Sequence, residues 1–333
     1  MSILVTGANG TIGMETLRIL GQKGGTGLRA LVRNAEKANL VFSHGIEPVT
    51  GTFEDRSALD AALSGIETVV LIAPAGPKAE QQASSVIQAA KSARVQRIFR
   101  VSAIKADPDG PTNNTRAHGR TEAEIAQSGM RYVFLRPNLF MQNMFMAADS
   151  IKQQGQLTFA MDAGKMGMID TRDIAACVAV CAVSEQWDGQ TFELTGPEAI
   201  SYCDAATVLS ELMDQTITYS PMPPDDMYVM IEGTGWGDWM AALARDYGKA
   251  YASGWGHFTT KNVEEITDTQ PRTFQVFAEE MFLPMLQQRT LIAFAASGTL
   301  GSPVAFAARP GKVCLHQLVT VGSDLIDVWA NFD

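Results

Sequence analysis

Positive charge is scarce in this chain, with 26 Lys and Arg against 36 Asp and Glu and a formal net charge of -10. Nucleic-acid binding relies on clustered Lys and Arg that displace counterions. No basic stripe is present, so a nucleic-acid partner is not expected. Cysteine is scarce as well: Cys177, Cys181, Cys203 and Cys314 lack paired metal-ligand spacing, which argues against a metal site. Cys177 and Cys181 fall on one face of an apolar helix and read as buried free thiols. Internal repeats and low-complexity tracts are missing. So is an unbroken membrane-length run. The nearest, "TLIAFAASGTLGSPVAFAA" at 290 to 308, is uncharged between Arg289 and Arg309 but is interrupted by Gly298, Gly301, Ser302 and Pro303. It reads as a buried or loosely packed segment, and no membrane association is expected. The first residues enter a strand almost at once, with no charged and apolar leader, so a cytoplasmic, reducing location is expected.

What the chain does have is a large apolar content. Hydrophobic residues make up 46% and charged residues 19% of 333, far from the profile of disorder and enough for two cores, a large domain with a smaller companion. The first half alternates apolar runs, "ILVTG" (3 to 7), "LRALVR" (28 to 33), "TVVLIAP" (68 to 74), "RIFRVSA" (97 to 103) and "YVFLRP" (132 to 137), with helix-patterned stretches between them. Strands this rich in Val, Ile, Leu and Phe suit a sheet buried on both faces. Alternation with helices predicts an α/β fold, a doubly wound parallel sheet of Rossmann type. Residues 1–150 are assigned to this domain, with 165–183 returning to it. Residues 151–290 form a smaller, mostly helical substrate region, and 291–333 an appendage without an assigned role.

"VTGANGTIG" (5 to 13) places Gly7, Gly10 and Gly13 between the first strand and a helix starting near Thr11. One glycine permits the tight turn, a second lets a pyrophosphate approach the backbone, and a third lets helix and strand pack closely. The helix N-terminus would aim free N–H groups and its positive dipole end at the phosphates. Dinucleotide binding follows, because the motif sits between strand and helix at the start of an α/β alternation. The second strand ends in "LVRNAEK", with Arg33 and Lys37 and no acid at its tip. A guanidinium pairs with a 2'-phosphate, whereas NAD enzymes place a carboxylate there, so NADP(H) is favoured over NAD(H). Glu36 is expected on the following helix, which would be the wrong place for a ribose clamp.

Taken with "ALVRNAEKA", "GTFEDRSALDAALSGIETVVLIAP", "HGRTEAEIAQSG", "YVFLRPNLFMQN" and "MIDTRDIAA", the chain resembles the NmrA-like group of atypical short-chain dehydrogenases/reductases over about residues 1 to 200. That group includes NADPH-dependent quinone reductases, triphenylmethane-dye reductases and redox-sensing co-regulators. The resemblance implies that Thr6, Gly7, Asn9, Gly10, Thr11, Ile12 and Gly13 hold the pyrophosphate and that Arg33 and Lys37 hold the 2'-phosphate. It places Phe53, Glu54 and Asp55 near the adenine, with Ala73, Pro74 and Ala75 along the nucleotide. Pro137 and Asn138 would lie beside the nicotinamide, and Phe140, Met141 and Asn143 in a substrate pocket.

The superfamily's usual Tyr and Lys, four residues apart, are not found: no tyrosine here precedes a lysine at that spacing. The corresponding "AHGRTEAEI" carries His118 and Glu122. His118 is a candidate proton donor with Glu122 orienting it or raising its pKa; the alternative is that Glu122 pairs with Arg116 or Arg120 and His118 packs or caps the helix. Ser102 is a second candidate, for a bond to a substrate oxygen or only to backbone. Met-rich "PNLFMQNMFMAA" is either an adaptable wall for a flat acceptor or core packing. Trp236, Trp239 and Trp255 either build the smaller core or flank the cleft. Hydride transfer to a quinone or dye needs little help from a protein acid, because the developing charge is delocalised. The leading expectation is an NADPH-dependent reductase of a small electron-poor molecule, working without the Tyr/Lys pair. The alternative is an NADP-binding redox sensor acting through a protein partner. A homodimer stays open under both.

Overall fold

The computed structural model describes residues 1–24, 27–34 and 45–287. Within them, β1 (Ile3–Val5), β2 (Leu28–Val32), β3 (Glu47–Thr50), β4 (Thr68–Leu71), β5 (Arg97–Val101) and β6 (Arg131–Pro137) form the expected parallel sheet. Two further short strands, β7 (Gln156–Leu157) and β9 (Thr218–Tyr219), pair with each other apart from it. Between them in sequence, β8 (Gln190–Leu194) adds a seventh parallel strand beside β6, giving the order β3-β2-β1-β4-β5-β6-β8. The sequence stretch holding β8 was expected in the smaller region. β3 carries Pro48, and an outermost strand is where a residue lacking an N–H is tolerated.

The helices are α1 (Thr11–Gln22), α2 (Arg56–Leu63), α3 (Ala79–Ser92), α4 (Asn113–Gln127), α5 (Ala148–Gln154) and α6 (Thr171–Val183). They continue as α7 (Tyr202–Met213), α8 (Pro224–Gly233), α9 (Asp238–Ala252), α10 (Asn262–Thr267) and α11 (Phe274–Phe277). α1 and α6 cover one sheet face, burying Leu17, Leu20, Ile174 and Val178 against Val5, Val70 and Phe99. α2, α3 and α4 cover the other, with Leu59, Leu63, Val86, Ile87 and Ile125 against Leu4, Val69 and Ile98. Cys177 and Cys181 lie buried on α6, and burial pushes the Cys181 thiol up to about 12.

A separate cluster joins Met144, Ile151, Tyr202, Leu209, Met240, Phe274, Phe277 and Phe282, and Trp236, Trp239 and Trp255 pack against it. The tryptophans therefore serve the smaller core. Most of the Met-rich stretch goes the same way: Met141 and Met144 are buried, while Met146 is exposed. Among the described residues no helix is long and apolar enough to cross a membrane, and the 290–308 stretch lies outside them.

Candidate functional site

From β1 the chain runs outward to β2 and β3, then returns to set β4 on the other side of β1. The switch opens a crevice beyond the carboxyl ends of β1 and β4, where open parallel sheets bind ligands. A cleft of about 350 Å³ occupies it, inside the roughly 300–1,000 Å³ of small-molecule sites.

Gly7, Asn9, Gly10, Thr11, Ile12 and Gly13 line this cleft. The three glycines are bare for different reasons. Gly7 has φ +58°, and a Cβ there would meet the Ile72 carbonyl oxygen at 2.9 Å. At Gly13 a Cβ would fall 2.2 Å from the Gly7 carbonyl oxygen, an impossible approach to backbone. A Cβ at Gly10 would meet only the Gly7 oxygen, at 3.4 Å. The protein's own packing demands the first and third. The second leaves open a surface that a Cβ would partly fill. Gly10 is also the N-cap of α1, which has no side-chain cap, so its first-turn N–H groups face the cleft end without a side chain to take them. Thr6 does not line the cleft: its hydroxyl donates to the Ile72 carbonyl and accepts from the Ile72 N–H, both at 2.9 Å, and so clamps β1 to the end of β4.

Arg33, Phe53 and Glu54 line one end, and Ala73, Pro74 and Ala75 the wall after β4. Gln82 Nε2 donates to Glu54 Oε1 at 2.8 Å, and this bond holds the Glu54 carboxyl below its usual range. Asp55 is turned away, since its carboxylate accepts the Ala58 N–H and caps α2. Lys37 and Glu36 lie outside the described residues.

At the other end the cleft gathers Ser102, His118, Pro137, Asn138, Phe140 and Asn143. Met141 is absent from the lining: it is buried in the smaller core, with its Cε packed against Gly196. Sequence reasoning missed Asn114, Thr171, Leu243, Tyr247 and Tyr251, which share this end. Asn138 is held in place, donating to the Gly256 carbonyl (3.1 Å) and accepting from Leu139 N–H (2.8 Å) and the Tyr251 hydroxyl (3.0 Å).

His118 does not have the partner expected for it. Glu122 accepts from Arg136, through Nε at 3.1 Å and through Nη2, rather than touching His118, Arg116 or Arg120. Burial, reinforced by the positive charges of Arg100 and Arg136, drives the His118 pKa well below its ordinary value. The imidazole is neutral at neutral pH, so the expectation that Glu122 raises its pKa is reversed. Arg100 itself is buried in β5, which pushes its pKa down to about 10. Burial also raises Tyr247 and Tyr251, keeping both phenols protonated.

Six buried polar atoms of residues that line the cleft find no hydrogen-bond partner among the described residues: Asn9 Nδ2, Ser102 Oγ, Asn114 Oδ1, His118 Nδ1, Asn143 Oδ1 and Thr171 Oγ1. Each such group costs about 1–3 kcal/mol when left unpaired. Their collection in one crevice fits a site whose partners are the polar atoms of a ligand. The arrangement suits a dinucleotide: a bare turn and a helix N-terminus for linked phosphates, a guanidinium near one end and amide and hydroxyl groups near the other. Among the described residues no three His, Cys, Asp or Glu side chains gather to hold a metal ion.

Comparison with known proteins agrees with this geometry. Residues 7–185, more than half of the chain, match the model of a family described as NAD(P)H-binding. An NAD(P)H azoreductase of Xenophilus azovorans is 32% identical over 281 residues, covering 83% of this chain and 96% of that protein. Quinone oxidoreductase 2 of Escherichia coli (strain K12) is 29% identical over 247 residues, 73% of this chain and 86% of its own. The crystal structure of an NADPH-dependent quinone oxidoreductase from Escherichia coli complexed with NADPH superposes with a TM-score of 0.76 at 26% identity, covering 84% of this chain and 99% of that one. The chain belongs to the NAD(P)H-binding family, among the NmrA-like atypical short-chain reductases its motifs resemble, and is an NAD(P)H-dependent oxidoreductase.

Proposed function

We propose that the cleft binds NADPH in preference to NADH and that the protein reduces a small electron-poor organic acceptor, with quinones first and azo or cationic dyes next. The observation that carries this reading is one continuous cleft running from Arg33, past the bare Gly10 turn with its unpartnered Asn9 amide, to residues carrying five further unpartnered polar atoms. Bound NADPH supplies a hydride. The chain's own part is to hold and orient. The Gly7–Gly13 turn and the α1 N-terminus take the pyrophosphate. Arg33, at the tip of β2, pairs with the 2'-phosphate through parallel charge-assisted bonds. Phe53 and Glu54 border the adenine, and Pro137 and Asn138 the nicotinamide.

The acceptor sits against Phe140, Leu243, Tyr247 and Tyr251, an apolar and aromatic wall suited to a flat molecule. Ser102, His118 and Asn143 offer it neutral hydrogen-bonding groups rather than an imidazolium or a tyrosinate. Such a site orients and polarises, and leaves the proton to solvent. This fits acceptors whose developing charge is delocalised. Mixing the purified protein with NADPH and a quinone panel, and following the fall in cofactor absorbance, tests the reading. Turnover with NADPH well above that with NADH is expected. Tight NADP binding by calorimetry with no turnover of any acceptor would instead make the protein a sensor.

A further inference from the structure

The acceptor end of the cleft holds a phenol, Tyr247, whose hydroxyl is oriented by a neighbouring amide. Asn114, in the first turn of α4, donates from Nδ2 to the Tyr247 phenolic oxygen at 3.1 Å. The neighbouring Asn113 donates from Nδ2 to the Trp239 carbonyl at 2.9 Å, so two adjacent amides stitch the start of α4 to α9. The start of α4 is itself fixed by reciprocal bonds between Thr112 and Thr115. The Tyr247 ring is held by Tyr251 and Trp255, with centroids 5.7 and 6.2 Å away. A phenol has one proton to give and lone pairs to receive. Here the amide occupies the receiving side, and the Thr112 hydroxyl, which also interacts with the phenol, is the group that a ligand oxygen would displace as acceptor of the hydroxyl's own proton. Burial raises the Tyr247 pKa against the opposing bonds from Asn114 and Thr112, so that proton stays in place.

We infer that Tyr247, oriented by Asn114, donates the hydrogen bond that the acceptor's reducible oxygen receives as negative charge builds on it, an assignment that rests on the reductase reading above. Tyr247 is then the substrate-facing donor that the missing Tyr/Lys pair would otherwise supply. It arrives from the smaller region and acts as a neutral donor rather than a tyrosinate. Reduction of a quinone to its hydroquinone takes a hydride, two electrons with one hydrogen nucleus, from NADPH and one proton from solvent. Tyr247 shares its proton and keeps it. The stabilisation grows with charge on oxygen, so it belongs to the transition state more than to the ground state. An acceptor that takes hydride on carbon with no oxygen at the reacting centre has little use for it.

The test compares Tyr247→Phe with the wild-type protein on two acceptors, 1,4-naphthoquinone and a cationic triphenylmethane dye. The variant keeps the ring and its packing and removes one hydroxyl. Quinone kcat should fall about tenfold with KM changed less than about threefold, while the dye rate falls less than about threefold. A third arm titrates naphthohydroquinone into the protein and reads tryptophan fluorescence, where Tyr247→Phe should weaken binding several-fold. Asn114→Ala should reproduce part of the quinone defect. Equal losses on both acceptors, or an unchanged quinone rate and hydroquinone affinity, would overturn the assignment. If the wild-type protein turns over neither acceptor, the reductase reading fails, and the hydroquinone titration still decides whether Tyr247 faces an oxygen ligand.

Discussion

The two ends of the cleft are built by different means. The end below β1 and β4 is made largely of backbone, a glycine turn, an uncapped helix start and the main chain after β4, with the side chains of Arg33, Phe53 and Glu54 at its tip. The end beneath α9 is made of side chains, Asn114, His118, Asn143, Thr171 and Tyr247, delivered by segments far apart in sequence. A backbone site depends on a few residues that must have no side chain. A side-chain site depends on many residues that must be brought together, so its chemistry can change without touching the sheet. Binding is fixed at the first end, and specificity can drift at the second.

Gly13 and Gly10 separate folding from binding within one turn, and their variants carry the largest expected effects. Gly13→Ala drives a Cβ to 2.2 Å from the Gly7 carbonyl oxygen, and overpacking against backbone should cost about 3 kcal/mol or more. Gly10→Ala meets only an atom at 3.4 Å, so its urea midpoint should move by less than about 0.5 kcal/mol. Its NADPH affinity should nevertheless fall about a hundredfold, since the added methyl occupies the phosphate approach. Urea unfolding and calorimetry on both variants check this. Equal destabilisation by the two would mean that Gly10 serves packing like its neighbours.

Arg33 tests the far end of the backbone-built half. Losing a charge-assisted pair removes about 1.5–3 kcal/mol, a weakening of roughly ten- to a hundredfold. Arg33→Ala should show this for NADPH and leave NADH within about twofold. Calorimetry with both cofactors decides, and equal losses would remove the basis for NADP preference.

The same contrast explains what was legible beforehand. The glycine turn, the strand tips and the walls after β4 are local: strand, bend and helix are consecutive, and each residue's task follows from its neighbours in sequence. The edge strand β3 was missed because Pro48 and half-exposed neighbours hide its apolar signal, and β8 because five residues of mixed polarity reveal a partner only through β6. α4 starts at Asn113, where reciprocal bonds between Thr112 and Thr115 cap its first turn. Tyr247 lies 133 residues from the Asn114 that orients it. Its helical spacing with Tyr251 shows a face without saying what that face covers. His118 was visible as a candidate, but its charge state was not, since the cations that set it come from β5 and β6.

That charge state gives the smallest and most specific prediction. The folded imidazole, beside Arg100 and Arg136 and without a carboxylate bonded to it, holds its proton less tightly than an unfolded histidine near 6.5. Below that pH the unfolded chain binds a proton that the folded one refuses, so stability is lost as pH falls from about 6.5, by at most about 1.4 kcal/mol per pH unit for one group. The unliganded protein should therefore lose about 1 kcal/mol more than His118→Gln between pH 7 and 5.5 in paired urea titrations. The difference between the two proteins cancels the carboxylates, which titrate in both. Identical pH slopes would show that His118 takes up a proton in place, and the acceptor end of the cleft would then hold a cation where the structure has a neutral donor.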